Sequence, residues 1–157
     1  MRDADKSEKE IFVFRNKVTT DMTDLSERHK AALLFSNEAF YVAFAAGDAD
    51  QMGEIWARDF SVSCIHPWRE PIMGRENVMR SWMGILANSP HVTHHSPKVF
   101  GRGDMGYVIC YEQIGHVPLL ATNVFLLEDG KWKITHHQAG PTEASPPIKP
   151  IKPKFSN

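Results

Sequence analysis

The chain of 157 residues is long enough for one domain that buries roughly 70% of the surface of its unfolded form. Its net charge is −1 and 24% of its residues are charged, a balance that indicates neither nucleic acid nor an anionic membrane as a partner. No stretch approaches the ~18 apolar residues of a membrane-spanning helix, and the charged N-terminus is unlike a secretory signal, so we expect a cytoplasmic protein.

A flexible arm is expected over residues 1–24, because its first ten positions are nearly all charged or polar. Within it, the short apolar run Ile11–Val18 fits two interpretations. It is a marginal strand, or it is a segment that docks on the domain or on a second subunit. Asp24 and Glu27 have the spacing of a capping box and predict a helix over Leu25–Ala46.

A Gly-Asp pair marks the next corner of the chain. Gly47 is typical of the left-handed residue that ends a helix, and Asp48 is typical of the residue that caps a following one, here predicted over Ala49–Ala57. A strand is predicted at Phe60–His66, where alternate residues form an apolar face that ends in a histidine. Apolar residues at helical spacing then predict a third helix over Arg75–Ala87.

Four further segments are predicted to be strands, the first of them weakly: Thr93–Phe100, Gly106–Val117, Leu119–Leu127 and Lys131–Gln138. The last two are joined by the Asp-Gly chemistry of a tight hairpin, whereas Pro118 is expected to break the chain before the third. In the third segment both alternating sets of residues are apolar, so either helices cover one face of the sheet and a partner subunit the other, or the sheet curls around a core. A homodimer through the outer face is the simpler of the two explanations.

The end of the chain differs in composition from the rest. Residues 142–157 are rich in proline and hold little that could pack, so we expect an extended, polyproline-like tail. A single domain over residues 25–141 therefore remains between the arm and the tail.

The order of these elements resembles the NTF2-like superfamily, in particular its SnoaL-like and ketosteroid-isomerase-like members. Three stretches carry the resemblance: AAGDADQMGEIWARDFSVSCIHP, IMGRENVMRSW and NVFLLEDGKWKITHHQAGP. The resemblance implies an α+β, cystatin-like cone in which a curved antiparallel sheet wraps around three helices. It also implies an apolar pocket for a small-molecule ligand and a homodimer through the sheet.

The steroid isomerases of this superfamily are matched incompletely. Their oxyanion-donating tyrosine falls on Phe40, with Tyr41 one residue further along the helix. Their catalytic aspartate falls on Cys64, with His66 two residues along on the same face. Steroid isomerisation by the usual groups of the family is therefore not expected.

Three titratable residues are candidates for acid–base chemistry. His66 would lie at the pocket end of the first strand, as a base or donor, or as a core histidine bonded to the backbone. Glu112 would have a raised pKa inside the cone, or would lie on the outer face. If Trp132 is in the core, the alternation places His136 inside and His137 outside.

The remaining candidates are expected to line a pocket. Asn123 shares a face with apolar neighbours and should bind a ligand or backbone. The predicted ligand-binding residues are Phe40, Tyr41, Trp56, Cys64, Trp68, Trp82, Asn123 and Phe125.

No metal or organic cofactor is expected. His94 and His95, and likewise His136 and His137, are candidate metal ligands, but adjacent residues of one strand point to opposite faces, so neither pair can chelate as a unit. No zinc-binding spacing occurs in the sequence. Cys64 and Cys110 lie in apolar runs and are expected to be reduced and inert.

Two function classes stay open at this point. The first is a protein that binds a small, largely apolar or aromatic ligand and performs isomerisation, cyclisation or dehydration, using His66 with Glu112 or His136. The second is a non-catalytic ligand-binding or dimerisation module. Convergence of two titratable groups in a dry pocket favours the first, whereas an interior packed shut by Phe40, Trp82 and Phe125 favours the second.

Overall fold

The computed structural model describes residues 24–88 and 91–144, and these form three helices and one six-stranded sheet. The predicted α+β class is confirmed. No helix in this described part is long and apolar enough to cross a membrane. The apolar run at residues 11–18 and most of the proline-rich tail lie outside the described residues. The helices are α1 (Glu27–Ala46), α2 (Ala49–Ile55) and α3 (Arg75–Leu86), and the strands are β1 (Ser63–Ile65), β2 (Ile72–Met73), β3 (Val92–Arg102), β4 (Met105–Ile114), β5 (Val117–Glu128) and β6 (Lys131–Pro141).

The sheet is curved, open and mixed. Its strand order is β2-β1-β6-β5-β4-β3, and neighbouring strands are antiparallel except for the parallel pair β1 and β6. The apolar core lies between the three helices and the inner face of this sheet. Strands β4, β5 and β6 alternate between buried and more exposed residues over most of their length, whereas in the edge strand β3 only Val92 is buried.

The ends of the first two helices show one wrong prediction and one confirmed prediction. The hydroxyl of Ser26, not the side chain of Asp24, caps α1 by accepting from the amide of His29 at 3.2 Å. The backbone of Asp24 instead forms an isolated antiparallel β-bridge with that of Arg102 in β3, which fixes the chain before the helix. The Gly-Asp corner follows the prediction, since Gly47 has a φ of 68° and the Asp48 carboxylate caps α2.

Two strand predictions also needed correction. The first strand is shorter than predicted and spans only Ser63–Ile65. Pro118 does not break the sheet but lies within β5 opposite Gln113, because the turn occurs earlier, where Gly115 has a positive φ. The proline of β3 is tolerated because it lies at a bulge of an edge strand.

A second bulge decides which histidine of β6 faces the core. Val124 pairs with His136 and Phe125 pairs with Ile134, so Thr135 is an extra residue in β6. The alternation therefore changes phase after Trp132, which is buried as predicted. His137 points inward and His136 does not, the reverse of the prediction.

Two charged side chains hold the segment that connects α2 to β1. Arg75 donates to three backbone carbonyls of residues 53–57, at 2.7–3.0 Å. The buried carboxylate of Glu128 accepts three hydrogen bonds from the amides of Arg58 and Asp59, at 2.9–3.1 Å. Together they anchor this segment to α3 and to the end of β5.

Candidate functional site

A buried carboxyl and a buried phenol meet at the inner face of β4. Cys110 and Glu112 are two residues apart in this strand and therefore face the same way, toward α1. The hydroxyl of Tyr41 donates to Oε2 of Glu112 at 3.0 Å and lies 3.2 Å from Sγ of Cys110. Glu112 is 2% exposed and Tyr41 is 3% exposed, so of the two positions that the sequence left open for Glu112 the structure has the inner one.

Burial sets the protonation of this pair. It raises the pKa of Glu112 from 4.5 to about 7, although the hydrogen bond from Tyr41 opposes this change. Burial, followed by the charge of Glu112, also raises the pKa of Tyr41 well above its ordinary value. Near neutral pH, Glu112 therefore exists in both its protonated and ionised forms, while Tyr41 stays a hydrogen-bond donor.

A second hydrogen-bonded chain lies beside the first and joins α1 to β5 and β6. The side-chain amide nitrogen of Asn123 donates to Oδ1 of Asn37 at 2.8 Å, and Nδ1 of His137 lies 2.6 Å from Oδ1 of Asn123. Because that oxygen can only accept, Nδ1 of His137 carries the proton and Nε2 does not. Burial, together with the nearby His66 and His136, lowers the pKa of His137 from 6.5 to about 3, so its ring is neutral.

His66 lies half-buried directly after β1. Its Nε2 is 3.0 Å from the hydroxyl of Ser81 on α3, and its ring meets Trp82 edge-on with centroids 5.1 Å apart. Burial, followed by the charge of Arg69, lowers its pKa, so this histidine is neutral near pH 7. The ring centroids of His66 and His137 are 6.5 Å apart. His66, which was predicted at the site, therefore lies close to His137, which was predicted on the outer face.

Both cysteines are free and buried, as predicted. Burial raises the pKa of Cys64 to about 12 and that of Cys110 to about 11. Neither thiol therefore forms a nucleophilic thiolate near neutral pH, although Sγ of Cys64 is 3.7 Å from Nε2 of His66.

The sequence interpretation missed His94 as a member of this site. His94 pairs with Glu112 across β3 and β4, and its ring stacks on Tyr41 at 4.1 Å with an interplanar angle of 12°. Its Nε2 is 3.0 Å from Oε2 of Glu38, whose side chain is 61% exposed. Burial lowers the pKa of His94, and Glu38 opposes this change. His94 therefore connects the buried pair to a solvent-exposed carboxylate.

The other predicted site residues separate into interior, outer and surface positions. The interior ones are no more than 1% exposed: Phe40, Trp56, Cys64, Trp82, Asn123 and Phe125. His136 lies on the other face, where Nδ1 is 2.7 Å from the hydroxyl of Ser63. Trp68 does not line the interior. It is 75% exposed because Pro67 and Trp68 form a turn closed by a hydrogen bond from the amide of Arg69 to His66, with a φ of 59° at Trp68.

Two cavities formed by described residues lie away from the buried polar groups. One, of about 430 Å³, lies between α1, α2 and the hairpin that joins β5 to β6. The other, of about 140 Å³, lies between α2 and α3 and touches Trp82. Neither is lined by Glu112, Tyr41 or His66.

Comparisons with known proteins give one family match and one curated relative. A model of the SnoaL-like domain matches residues 34–142. The chain is also 26% identical over 112 residues to the F-box protein SKIP8 of Arabidopsis thaliana, a stretch that is 69% of this chain and 48% of that protein. The chain thus spans about half the length of the curated relative that it matches.

Solved structures give matches over a greater share of the partner chain. A proposed dehydratase of the NTF2-like family from Streptomyces avermitilis is 29% identical with a TM-score of 0.68, over 75% of this chain and 99% of that one. A proposed calcium/calmodulin-dependent protein kinase type II association domain from Thiobacillus denitrificans is also 29% identical, with a TM-score of 0.58, over 69% and 93% of the two chains. A proposed ketosteroid isomerase from Parabacteroides distasonis, 18% identical with a TM-score of 0.61 over 80% and 98%, shares the fold alone.

Proposed function

Because the chain belongs to the family of SnoaL-like domains, which have the NTF2-like fold, we propose that it binds a small, largely apolar molecule and exchanges a proton with it at Glu112. The observation that carries the proposal is this carboxyl, which is buried, bonded to Tyr41 and has a pKa of about 7. A general acid or base works best when its pKa lies near the working pH. The ligand class is an aromatic or alicyclic compound with one hydroxyl or carbonyl group.

The neighbouring side chains have distinct roles in this proposal. Tyr41 donates to the oxygen of the ligand or to Glu112, while protonated Glu112 gives its proton to a leaving hydroxyl or to a carbonyl oxygen. Neutral His66 accepts a proton from carbon at the other side of the ligand. His136 has no part, because its ring lies on the other face with Ser63. The outcome is the loss of water, or the movement of a double bond when Glu112 takes its proton back from the enol oxygen and His66 returns its proton to a different carbon. Neither outcome needs a cofactor.

A second candidate function rests on a different observation. Phe40, Trp82 and Phe125 are no more than 1% exposed, and Asn37, Asn123 and His137 bond to one another. These hydrogen bonds satisfy the two asparagines and His137 with one another, without a ligand. This favours a non-catalytic module for ligand binding or association, and any ligand that enters must displace side chains of the core.

Proton exchange can be measured without knowledge of the substrate. Incubation with acetophenone and with 2-tetralone in deuterium oxide, followed by NMR, reports deuterium uptake at the carbon next to the carbonyl. We expect uptake that falls at least tenfold in Glu112→Gln and in His66→Ala, and that stays unchanged in His95→Ala, a control on an exposed histidine. Binding of a ketone without uptake in any variant would support the second candidate, and absence of both binding and uptake would reject both.

The assembly expected from the sequence also belongs to this proposal. Leu120 is 44% exposed on the outer face of β5, beside the partly buried Val124 and Leu126, and this apolar surface supports a homodimer through the sheet. Sedimentation equilibrium should give a dimer that Leu120→Lys converts to a monomer, while Met73→Lys, on an exposed residue elsewhere, has no effect. A native monomer would reject this assembly.

A cytoplasmic location stays a prediction, supported by the two free thiols.

A further inference from the structure

The larger cavity is an open apolar groove on the side of α1 away from the buried polar groups. Ala32, Phe35 and Ala39 of α1 form one wall, and Ile55 and Trp132 contribute to the others, in a volume of about 430 Å³. Phe35 is 76% exposed, the largest exposed fraction among the exposed large apolar side chains of the described residues. An aromatic side chain exposed beside an apolar groove indicates a contact with another segment or molecule.

We propose that this groove is the docking site for the apolar segment Ile11–Val18 of the same chain. The segment has the sequence IFVFRNKV and places four apolar residues in succession, which matches a groove that two aromatic residues and three aliphatic ones line. This inference concerns a surface separate from the proposed proton exchange at Glu112 and does not depend on it.

The position of Asp24 favours the segment before it over the tail. Asp24 lies two residues before the cap of α1, and the ring of His29 in the first turn meets Trp132 of the groove edge-on at 5.7 Å. Ten residues from Phe14 to Asp24 span up to ~33 Å, whereas Ser26 and Phe35 are only ~14 Å apart along the helix axis. The arm therefore reaches the groove with length to spare.

The tail starts much further from the groove. It leaves β6 after Pro141, nine residues beyond Trp132, which puts its start ~30 Å away along an extended strand. A second copy of the chain is the other competing occupant, and the experiment below separates it from the arm.

A spin label on the arm of the full chain tests the proposal. Asn16→Cys provides the attachment site, because Cys64 and Cys110 are buried and their raised pKa values leave little thiolate to react. The amides of Phe35 and Ala39 should lose most of their NMR intensity, and those of β4 should not. A second sample mixes spin-labelled protein at natural isotope abundance with nitrogen-15 protein that carries no spin label. The loss of intensity must be absent in this mixture, because the proposed docking occurs within one chain.

Two substitutions of exposed residues on α1 give a matched pair. Phe35→Asp should restore the groove intensities at least fivefold, whereas Val42→Asp should leave the loss unchanged, since Val42 is 49% exposed but lies outside the groove. Thermal unfolding of both variants checks that they fold, and Phe12→Ser with Phe14→Ser repeats the test from the side of the arm. The proposal is overturned if the loss is missing, if it survives Phe35→Asp and the arm substitutions, or if it occurs in the mixed sample, which would assign the groove to a second copy.

Discussion

Replacing Glu112 with glutamine should stabilise the protein at alkaline pH and change its stability little at acidic pH. The carboxyl is 2% exposed, and burial raises its pKa from 4.5 to about 7. Among the described residues, its hydrogen-bond donor is the hydroxyl of Tyr41, so the ionised form has little compensation for its lost hydration. Glutamine has nearly the same shape, keeps an oxygen for Tyr41 and does not ionise.

The sign and size of the effect follow from proton binding. Below pH 4.5 the carboxyl is protonated in the folded and unfolded chain alike and costs nothing. Between pH 4.5 and about 7 the unfolded chain releases its proton while the folded chain keeps it, so the free energy of unfolding falls as the pH rises. At about 1.4 kcal/mol per pH unit, the loss amounts to about 3 kcal/mol by pH 8. The variant lacks this loss.

Urea unfolding followed by tryptophan fluorescence between pH 4 and pH 8 provides the measurement. The free energy of unfolding of Glu112→Gln minus that of the native chain should rise by about 3 kcal/mol across this range. Both chains hold the same histidines, so their titration, including that of His137, cancels in the difference. The exposed Glu70→Gln serves as the control and should show no trend. A difference that stays constant or falls with pH would refute a buried carboxyl that is protonated near neutrality.

Three substitutions test other parts of the structure, each by urea or thermal unfolding. Glu128→Gln should lower the free energy of unfolding by about 1–3 kcal/mol, because one amide oxygen cannot replace a carboxylate that accepts from Arg58 and its neighbour. A loss below about 0.5 kcal/mol would mean that these bonds contribute little. Asn123→Ala should cost about 2–4 kcal/mol, since it leaves a second asparagine and His137 without partners, and a cost below about 1 kcal/mol would contradict that network. Trp68→Gly should leave stability unchanged or raise it by up to about 1 kcal/mol, because it removes the strain of a φ of 59°; a clear loss would mean that the exposed ring packs.

Local chemistry made much of the fold predictable. The Gly-Asp corner is confirmed, because a left-handed glycine and a capping carboxylate act within a few residues of each other. The Asp129-Gly130 hairpin is confirmed too, with φ of 50° and 73° at its two central residues. The NTF2-like fold expected from the order of elements is also confirmed. These features depend on short stretches whose preferences agree with the final structure.

The choice between His136 and His137 could not be made from the strand pattern. An alternation continued from Trp132 places His136 inside, and the extra residue Thr135 reverses this. The hydroxyl of Thr135 lies 3.4 Å from the carbonyl of Val124, but no local residue preference marks the site of the bulge. A bulge depends on the pairing of two strands, so it becomes visible only once the partner strand is in register.

Two members of the buried network could have been predicted from the sequence. Asn37 lies four residues after Leu33 and four before Tyr41, so it belongs to the buried stripe of α1 at helical spacing. His94 lies two residues after the buried Val92 and faces the same way. The sequence interpretation weighed His94 only as a metal ligand, because its contact with Tyr41 depends on the register of β3 against β4.

The polar groups of the interior are the main reason to expect chemistry there. A domain stabilised by packing alone would gain from apolar residues of similar size at Asn37, Glu112 and His137, because a buried polar group costs free energy even when it is bonded. Mutual hydrogen bonds account for Asn37 and His137. They do not account for Glu112, because Tyr41 could donate to the Cys110 sulfur alone. A buried carboxyl at this position, with a pKa of about 7 and His94 between it and Glu38, therefore supports the proposed proton exchange.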